Sequence, residues 1–329
     1  MSEVVVGLDV HLKSTQVTVM KLNGEIVKRE RVNTSRAELR RCLASVPKGS
    51  RVALESVGFC WPWIDFLREL EFEVLLANPL KVKLRAEDVK NDKVDSRTLA
   101  HLTRMNWLPT CYVPPAELRW LRSLLRHRAF RTRLSTGVKN RTKSEFRKRD
   151  IALKVDLKTK KGRKAASELS VFEANQNVEL LDLMDRQSKE IEAMLKRKYG
   201  QLKPVQLLMT IPGIGFVSAL TLYAEICDIK RFSNPEKLAH YAGLVPKVRQ
   251  SGEHTGMGRE SKGDEWLKWI LIEASWSHVR YCSEGRLAQV FWDTYRRKGN
   301  KKDAIKVVAR KLVNVVWAVW TYEKEFMVK

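Results

Sequence analysis

Residues 4–32, "VVVGLDVHLKSTQVTVMKLNGEIVKRERV", open with an apolar run rich in β-branched side chains. Alternation at Val17 and Val19 follows, then a turn at Asn23-Gly24 and a second alternating run. This pattern predicts three consecutive antiparallel strands. One residue does not belong to it: Asp9 interrupts the first strand where its neighbours are aliphatic. Working outward, "SRAELRRCLASV" begins with a serine N-cap and carries Glu38 three residues on, so a helix follows. "RVALES" and "FEVLLANP" read as two more strands, separated by the helical "WPWIDFLREL". The element order is therefore βββαβαβα.

The whole chain has 329 residues and 44% hydrophobic content, enough for two or three domains each with its own core. Lys and Arg total 62 against 38 Asp and Glu, a net charge of +24. The cations recur along most of the length, which favours a polyanionic partner, nucleic acid first. No apolar run approaches the roughly 20 residues needed to span a bilayer and no signal-peptide pattern opens the chain, so a cytoplasmic protein is expected rather than a membrane protein. Five scattered cysteines, Cys42, Cys60, Cys111, Cys227 and Cys282, form no CxxC pair and suggest neither a zinc site nor a disulfide framework.

From about residue 115 the pattern changes to long basic helices, "ELRWLRSLLRHRAFRTRLSTGVKNRTKSEFRKRD", ending in "LKTKKGRKAA". Arg126, Arg128, Arg131, Arg133, Lys139 and Arg141 fall in this arm and are candidate phosphate contacts. Leu181, Met184, Ser188, Ile191 and Leu195 repeat at spacings of three and four, as a helix–helix seam requires. That seam suits an intramolecular hairpin or a dimer contact. "IPGIG" between two apolar helices fits a helix-hairpin-helix, or equally an ordinary turn between helices. Ile305, Val308, Leu312, Val315, Val316 and Val319 give the last helix an apolar face. The expected division is residues 1–114, a basic arm and coiled-coil linker over 115–200, and a helical domain over 201–329.

Three hairpin strands followed by alternating helix and strand are the order of a ribonuclease-H-like (RuvC-type) α/β domain. In such a domain acids belong in the middle of the first strand, at the end of the fourth and on a later helix. Asp9, Glu55 and the pair Asp92 and Asp95 stand there, the last two three apart and so on one helix face. Converging carboxylates repel unless a divalent cation neutralises them, and hard oxygen donors select Mg²⁺ or Mn²⁺. Asp88 competes for the same role. Each acid also has a plain structural reading, Asp92 as a helix N-cap and Asp95 as a first-turn acid among them.

"GLDVHLKS", "LESVGF", "KNDKVDSRTLA", "IPGIGFVSA", "LAHYAGLVP", "QSGEHTGMGRESKG" and "ARKLVNVVWA" occur in the order seen in the DEDD transposases of insertion-sequence family one-ten, relatives of the Piv-type DNA invertases. The chain resembles them over nearly its whole length. The resemblance implies that Asp9, Glu55, Asp92 and Asp95 are the four acids of a RuvC-type nuclease domain. It implies further that Ser251, in the SG motif, is the nucleophilic serine of the transposase domain. It also implies recombination of donor and target DNA guided by a structured non-coding bridge RNA, with a composite site between subunits of a dimer or tetramer.

Residues 245–263 place Ser251 in an expected surface loop of glycines and cations, either as a polar turn residue or as a displayed nucleophile. A serine hydroxyl is a weak nucleophile that needs charge stabilisation beside the scissile phosphate. Gly252 lets the backbone approach DNA, and Lys247, Arg249, Arg259 and Lys262 are placed to hold phosphates. Ser261 is the rival nucleophile, and His11 and His254 are left outside the core site. Two other functions fit the same residues: a metal-dependent Holliday-junction-type endonuclease using activated water, and a non-catalytic nucleic-acid-binding protein.

Overall fold

The computed structural model describes residues 3–83, 92–251, 254–260 and 262–327, with the side chains of 92–94, 247–251 and 254–260 outside the described set. The chain divides into two compact units, Met1–Val113 and Pro114–Lys329.

The first unit is a mixed five-stranded sheet with helices on both faces. Its strands are β1 (Val4–Val10), β2 (Ser14–Lys21), β3 (Ile26–Asn33), β4 (Arg51–Glu55) and β5 (Glu73–Ala77), in the spatial order β3-β2-β1-β4-β5. The three-strand reading of residues 4–32 is realised, with β1–β2 and β2–β3 antiparallel and a turn at Gly24, whose φ of 99° suits only glycine. β4 and β5 then add in parallel, as strands joined through helices do. This order is consistent with a ribonuclease-H-like sheet of the DEDD type.

Alternation along the strands decides what each face carries. Val6, Leu8, Val17, Val19, Val52 and Leu54 pack against α1 (Arg36–Leu43) and α2 (Trp61–Glu69) through Leu39, Leu43, Ile64 and Leu67. α1 starts as the sequence predicts, with Ser35 Oγ accepting from the Glu38 amide at 3.2 Å. The opposite face, with Ala53 and Ala77, is covered by Leu99 and Leu102 of α4 (Asp92–Arg104), which follows the short α3 (Pro79–Lys83). The exposed edge strand β3 carries Lys28, Arg29, Glu30 and Arg31, charges that discourage pairing with another sheet.

The second unit is mainly helical: α5 (Ala116–Arg147), α6 (Lys160–Ser167), α7 (Phe172–Tyr199), α8 (Lys203–Met209), α9 (Phe216–Ile226), α10 (Pro235–Tyr241), α11 (Glu265–Tyr281), α12 (Arg286–Lys298) and α13 (Lys301–Tyr322). One antiparallel hairpin of β6 (Pro246–Ser251) and β7 (His254–Glu260) interrupts it. Two cores divide α5. Its first turns, through Leu121 and Leu125, join α7 to α11 and α13 in the main core, whereas Phe146 near its end packs with Leu157, Ala166, Val178 and Leu181 in a smaller one. The seam on α7 is therefore used within the chain: Leu181 and Leu195 are buried and Ile191 packs against the main core. α13 buries Ile305, Val308, Leu312, Val316 and Val319 as its pattern predicts, with Val315 half-buried.

Among the described residues no helix is long and apolar enough to cross a membrane. All five cysteines are free thiols; Cys42, Cys60 and Cys227 are buried, Cys111 and Cys282 half-buried.

Candidate active site

The acids of the first unit are placed by one close packing. Val5, Gly7 and Asp9 alternate with Val6, Leu8 and Val10 and so share the face that α4 covers. A Cβ at Gly7 would stand 2.6 Å from the Ala100 amide nitrogen and nearer still to the Ser96 carbonyl oxygen, so only glycine lets the helix lie this close. Ser96 Oγ also shares a 3.0 Å hydrogen bond with Thr18 Oγ1 on β2. Ser96 meets β1 at Gly7, while Ala100 packs with Val5, so α4 runs antiparallel to β1 and its N-terminus points to the end that carries Asp9.

Register brings in the other acids. Leu8 pairs with Leu54, and Asp9 and Glu55 are the next residues on these adjacent parallel strands, on the same side as Gly7 and Ala53. On α4, Asp92, Asp95, Leu99 and Leu102 follow at spacings of three and four, so the two acids continue the stripe that seats the helix on the sheet. Asp9 is 6% exposed and accepts a 3.1 Å hydrogen bond from His11 Nε2. His11 is thus a neighbour of the acids that sequence reasoning set aside; its two-residue spacing from Asp9 was the available signal. Glu55 is half-buried and Asp95 exposed. The side chain of Asp92, and Asp88 altogether, lie outside the described residues.

Asp9 and Glu55 at one sheet end and Asp95 near the positive end of α4 are hard oxygen donors, a set that fits a divalent cation in chemical type. Among the described residues no three histidine, cysteine or acidic side chains converge closely enough to hold a metal ion.

The expected loop around Ser251 is a β-hairpin. Ser251 is the last residue of β6 and pairs with His254, with Gln250 opposite Thr255, Arg249 opposite Gly256 and Val248 opposite Met257. Few apolar residues and three glycines hide this pairing from a propensity reading. Its root is pinched: a Cβ at Gly263 would stand 2.5 Å from Gly243 Cα, and the Asp264 amide donates to the Tyr241 carbonyl at 2.8 Å. Gly243, at φ 67°, makes the turn that leads into β6. Gly252 and Ser261 lie outside the described residues, as do the side chains of Ser251, Lys247, Arg249 and Arg259; Lys262 is exposed.

The arm's cations divide by their partners. Arg126 forks onto the buried carboxylate of Glu225 at 2.9 and 3.1 Å, beside Arg122, whose Nε stands 3.0 Å from the same group. Arg128 pairs with Glu192, Arg131 donates to Gln187, and Arg141 pairs with Glu145 at 3.0 Å. Arg163, within "KTKKGRK", is buried and bound to Asp182 at 2.7 Å, leaving Lys158, Lys160, Lys161 and Lys164 exposed. Burial, with the nearby charges of Lys158 and Arg163, holds the Lys139 amine below its ordinary range.

"IPGIG" joins α8 to α9. Gly213, at φ 88°, is used for packing, since a Cβ there would stand 2.8 Å from His278 Cα, and His278 Nδ1 donates to the Pro212 carbonyl at 2.7 Å. Gly215 is exposed at the start of α9 with nothing against it among the described residues.

Comparison with known proteins gives the class first: the chain is a transposase, an enzyme that cuts and rejoins DNA. It is 26% identical to a probable family 20 transposase of Pseudomonas aeruginosa over 97% of both chains. It is 24% identical to the transposase for insertion sequence element IS1111A of Coxiella burnetii, over 98% of this chain and 91% of that one. A pilin gene-inverting protein of Moraxella bovis is 31% identical over 36% of this chain and 38% of its own. The family model for the DEDD transposase domain of IS110 matches residues 6–147, and the model described as Transposase IS116/IS110/IS902 family matches residues 205–289. Through both of these domains the transposase is similar to the IS116/IS110/IS902 family of insertion-sequence transposases.

Proposed function

We propose that this transposase breaks and rejoins DNA through a covalent bond to Ser251, assisted by a divalent cation, Mg²⁺ or Mn²⁺, held by Asp9, Glu55, Asp92 and Asp95. The observation that carries the reading is the matched position of Asp9 and Glu55 on adjacent strands, on the face where α4 brings its acid-bearing N-terminus. Asp9 is 6% exposed inside an otherwise aliphatic strand, and burying a carboxylate is costly, which supports a charged partner at this sheet end.

In the proposed reaction Ser251 Oγ attacks the scissile phosphorus. The Oγ–P bond forms, one P–O bond to deoxyribose breaks, the hydroxyl proton passes to a base and the departing oxygen takes up a proton. A bound cation would supply charge stabilisation at phosphorus. Rejoining reverses the step: a free deoxyribose hydroxyl attacks the phosphoserine and Oγ leaves, so the bond energy is kept without ATP. Lys247, Arg249 and Lys262, the backbone at Gly252, and Arg259 would hold the flanking phosphates.

The basic arm is assigned to a structured guide RNA, and a dimer or tetramer to the four strands being exchanged. Burial first, and then the charges of Lys158 and Arg163, hold the Lys139 amine below its ordinary range, and a bound polyanion would favour its charged form. Arg126, Arg128 and Arg131 already have partners, so Arg133, Lys139 and the exposed lysines of "KTKKGRK" carry more of this assignment.

Ser251→Ala removes the attacking atom and leaves the cations and acids in place. The variant should bind DNA and RNA as wild type does, with no strand cleavage and no protein–DNA adduct, while Ser261→Ala keeps activity. Mg²⁺-dependent cutting by Ser251→Ala would make water the nucleophile and the enzyme a junction-type nuclease instead.

A further inference from the structure

Two tryptophans at the start of α11 stand beside arginines from α5. The Leu267 amide donates to Asp264 Oδ1 at 2.8 Å and caps this helix, and Leu267 and Ile270 anchor it in the core. Trp266 and Trp269, three residues apart, therefore share its flank and are half-buried, with ring centroids 5.8 Å apart and planes at 89°. Arg126 lies 5.4 Å above Trp266 and is committed to Glu225. Arg133, two turns further along α5, lies 5.3 Å from the Trp266 ring and 6.0 Å from the Trp269 ring. It is exposed, and among the described residues no carboxylate pairs with it.

A guanidinium held by ring faces keeps its N–H fork free for an anion. We infer that Arg133, Trp266 and Trp269 form a docking site for one unpaired nucleotide, its phosphate on the Arg133 fork and its base against an indole. The indoles distinguish this ligand from a protein carboxylate, which offers nothing to stack. A paired base is already stacked within its duplex, so the nucleotide is unpaired. The place is apt: α11 begins five residues after β7 ends, at the pinched root of the hairpin that carries Ser251. A strand docked here is held close in the chain to the proposed nucleophile. The inference rests on the nucleic-acid reading of this hairpin, not on the role of the serine.

Photocrosslinking tests it on the full-length wild-type protein, using single-stranded 12-mers with 5-iododeoxyuridine in DNA or 4-thiouridine in RNA, and the DNA 12-mer as a duplex. Peptide mapping should place the single-strand crosslink at Trp266 or Trp269, and the DNA and RNA arms identify the source of the nucleotide. In anisotropy titrations Trp266→Leu and Arg133→Gln should each weaken single-strand binding roughly tenfold, the scale of one lost stack or charged contact, while Trp266→Phe keeps most of it. Crosslinks confined to other segments, or equal yield at these tryptophans from duplex, would overturn the site. So would equal affinity of folded Trp266→Leu and wild type. Loss of the Ser251 adduct bears only on the proposed chemistry, because the crosslink needs no cleavage.

Discussion

Gly7 on β1 and Ser96 on α4 touch backbone to backbone, and this contact aims the helix's acids at the sheet end holding Asp9 and Glu55. Gly7→Ala puts a methyl into the Ser96 carbonyl and within 2.6 Å of the Ala100 amide. Backbone on both sides cannot step aside as a flexible side chain does. The variant should lose about 1–3 kcal/mol of stability, the usual cost of overpacking, and most of its strand cleavage while still binding DNA. Thermal unfolding and a cleavage assay on the same preparation check this; wild-type cleavage by a stably folded Gly7→Ala would mean that the helix position does not matter.

Asp9→Asn is nearly isosteric and should leave the fold intact while abolishing metal-dependent recombination. His11→Ala removes the hydrogen bond to Asp9 without removing a carboxylate, so it should lower the rate and keep the metal requirement. A titration of activity against Mg²⁺ and Mn²⁺ for both variants separates the two roles. Full recombination by Asp9→Asn would remove Asp9 from the site.

The serine hairpin depends on the contact of Gly243 with Gly263. In Gly263→Ala the two chain segments at its root must part, moving Ser251 without changing any proposed reacting group. Adduct formation should fall at least tenfold, since small misplacements cost heavily in a positioned attack, while DNA affinity changes little. An unchanged adduct yield would show that the hairpin needs no fixed root.

Glu225 binds α9 to α5 through Arg122 and Arg126. Burial pushes its carboxyl above the ordinary range, against the pull of both guanidinium groups. Glu225→Gln leaves those cations without their counter-charge and should cost about 3 kcal/mol, the low end for breaking a buried pair because Arg126 is partly exposed. Calorimetry reads it directly. Loss below 1 kcal/mol would show that the arm is held by Leu121 and Leu125 instead.

RNA bound along the arm should release counterions, so log affinity against log salt should slope by about 0.7–0.9 per phosphate contacted. Replacing Lys160, Lys161 and Lys164 together by Gln should flatten that slope by two to three contacts' worth; an unchanged slope would place the RNA elsewhere.

Much of the first unit was legible in the sequence because its signals are local. Strand alternation, the Asn23-Gly24 turn and the Ser35 cap each act within a few residues, and an acid in an aliphatic strand stands out without a structure. The heptad seam on α7 was equally plain, yet its partner was not, since the same apolar stripe suits α5 or a second chain; packing of Leu181 and Leu195 against in-chain neighbours settled it. The serine hairpin was read as a loop because glycines and cations carry little strand propensity, and its pairing comes from register and a closed root.

By itself the sequence determined the order of elements, the kinds of chemical group and the overall charge, all of which follow from residue type and short-range spacing. Tertiary structure alone decided which face of the sheet α4 covers and which arginines of α5 are already paired with distant acids. Those facts depend on how closely segments far apart in the chain approach. That distance is set by contacts such as Gly7 with Ser96, 89 residues on, where the absence of one methyl group determines whether a helix and a strand can meet.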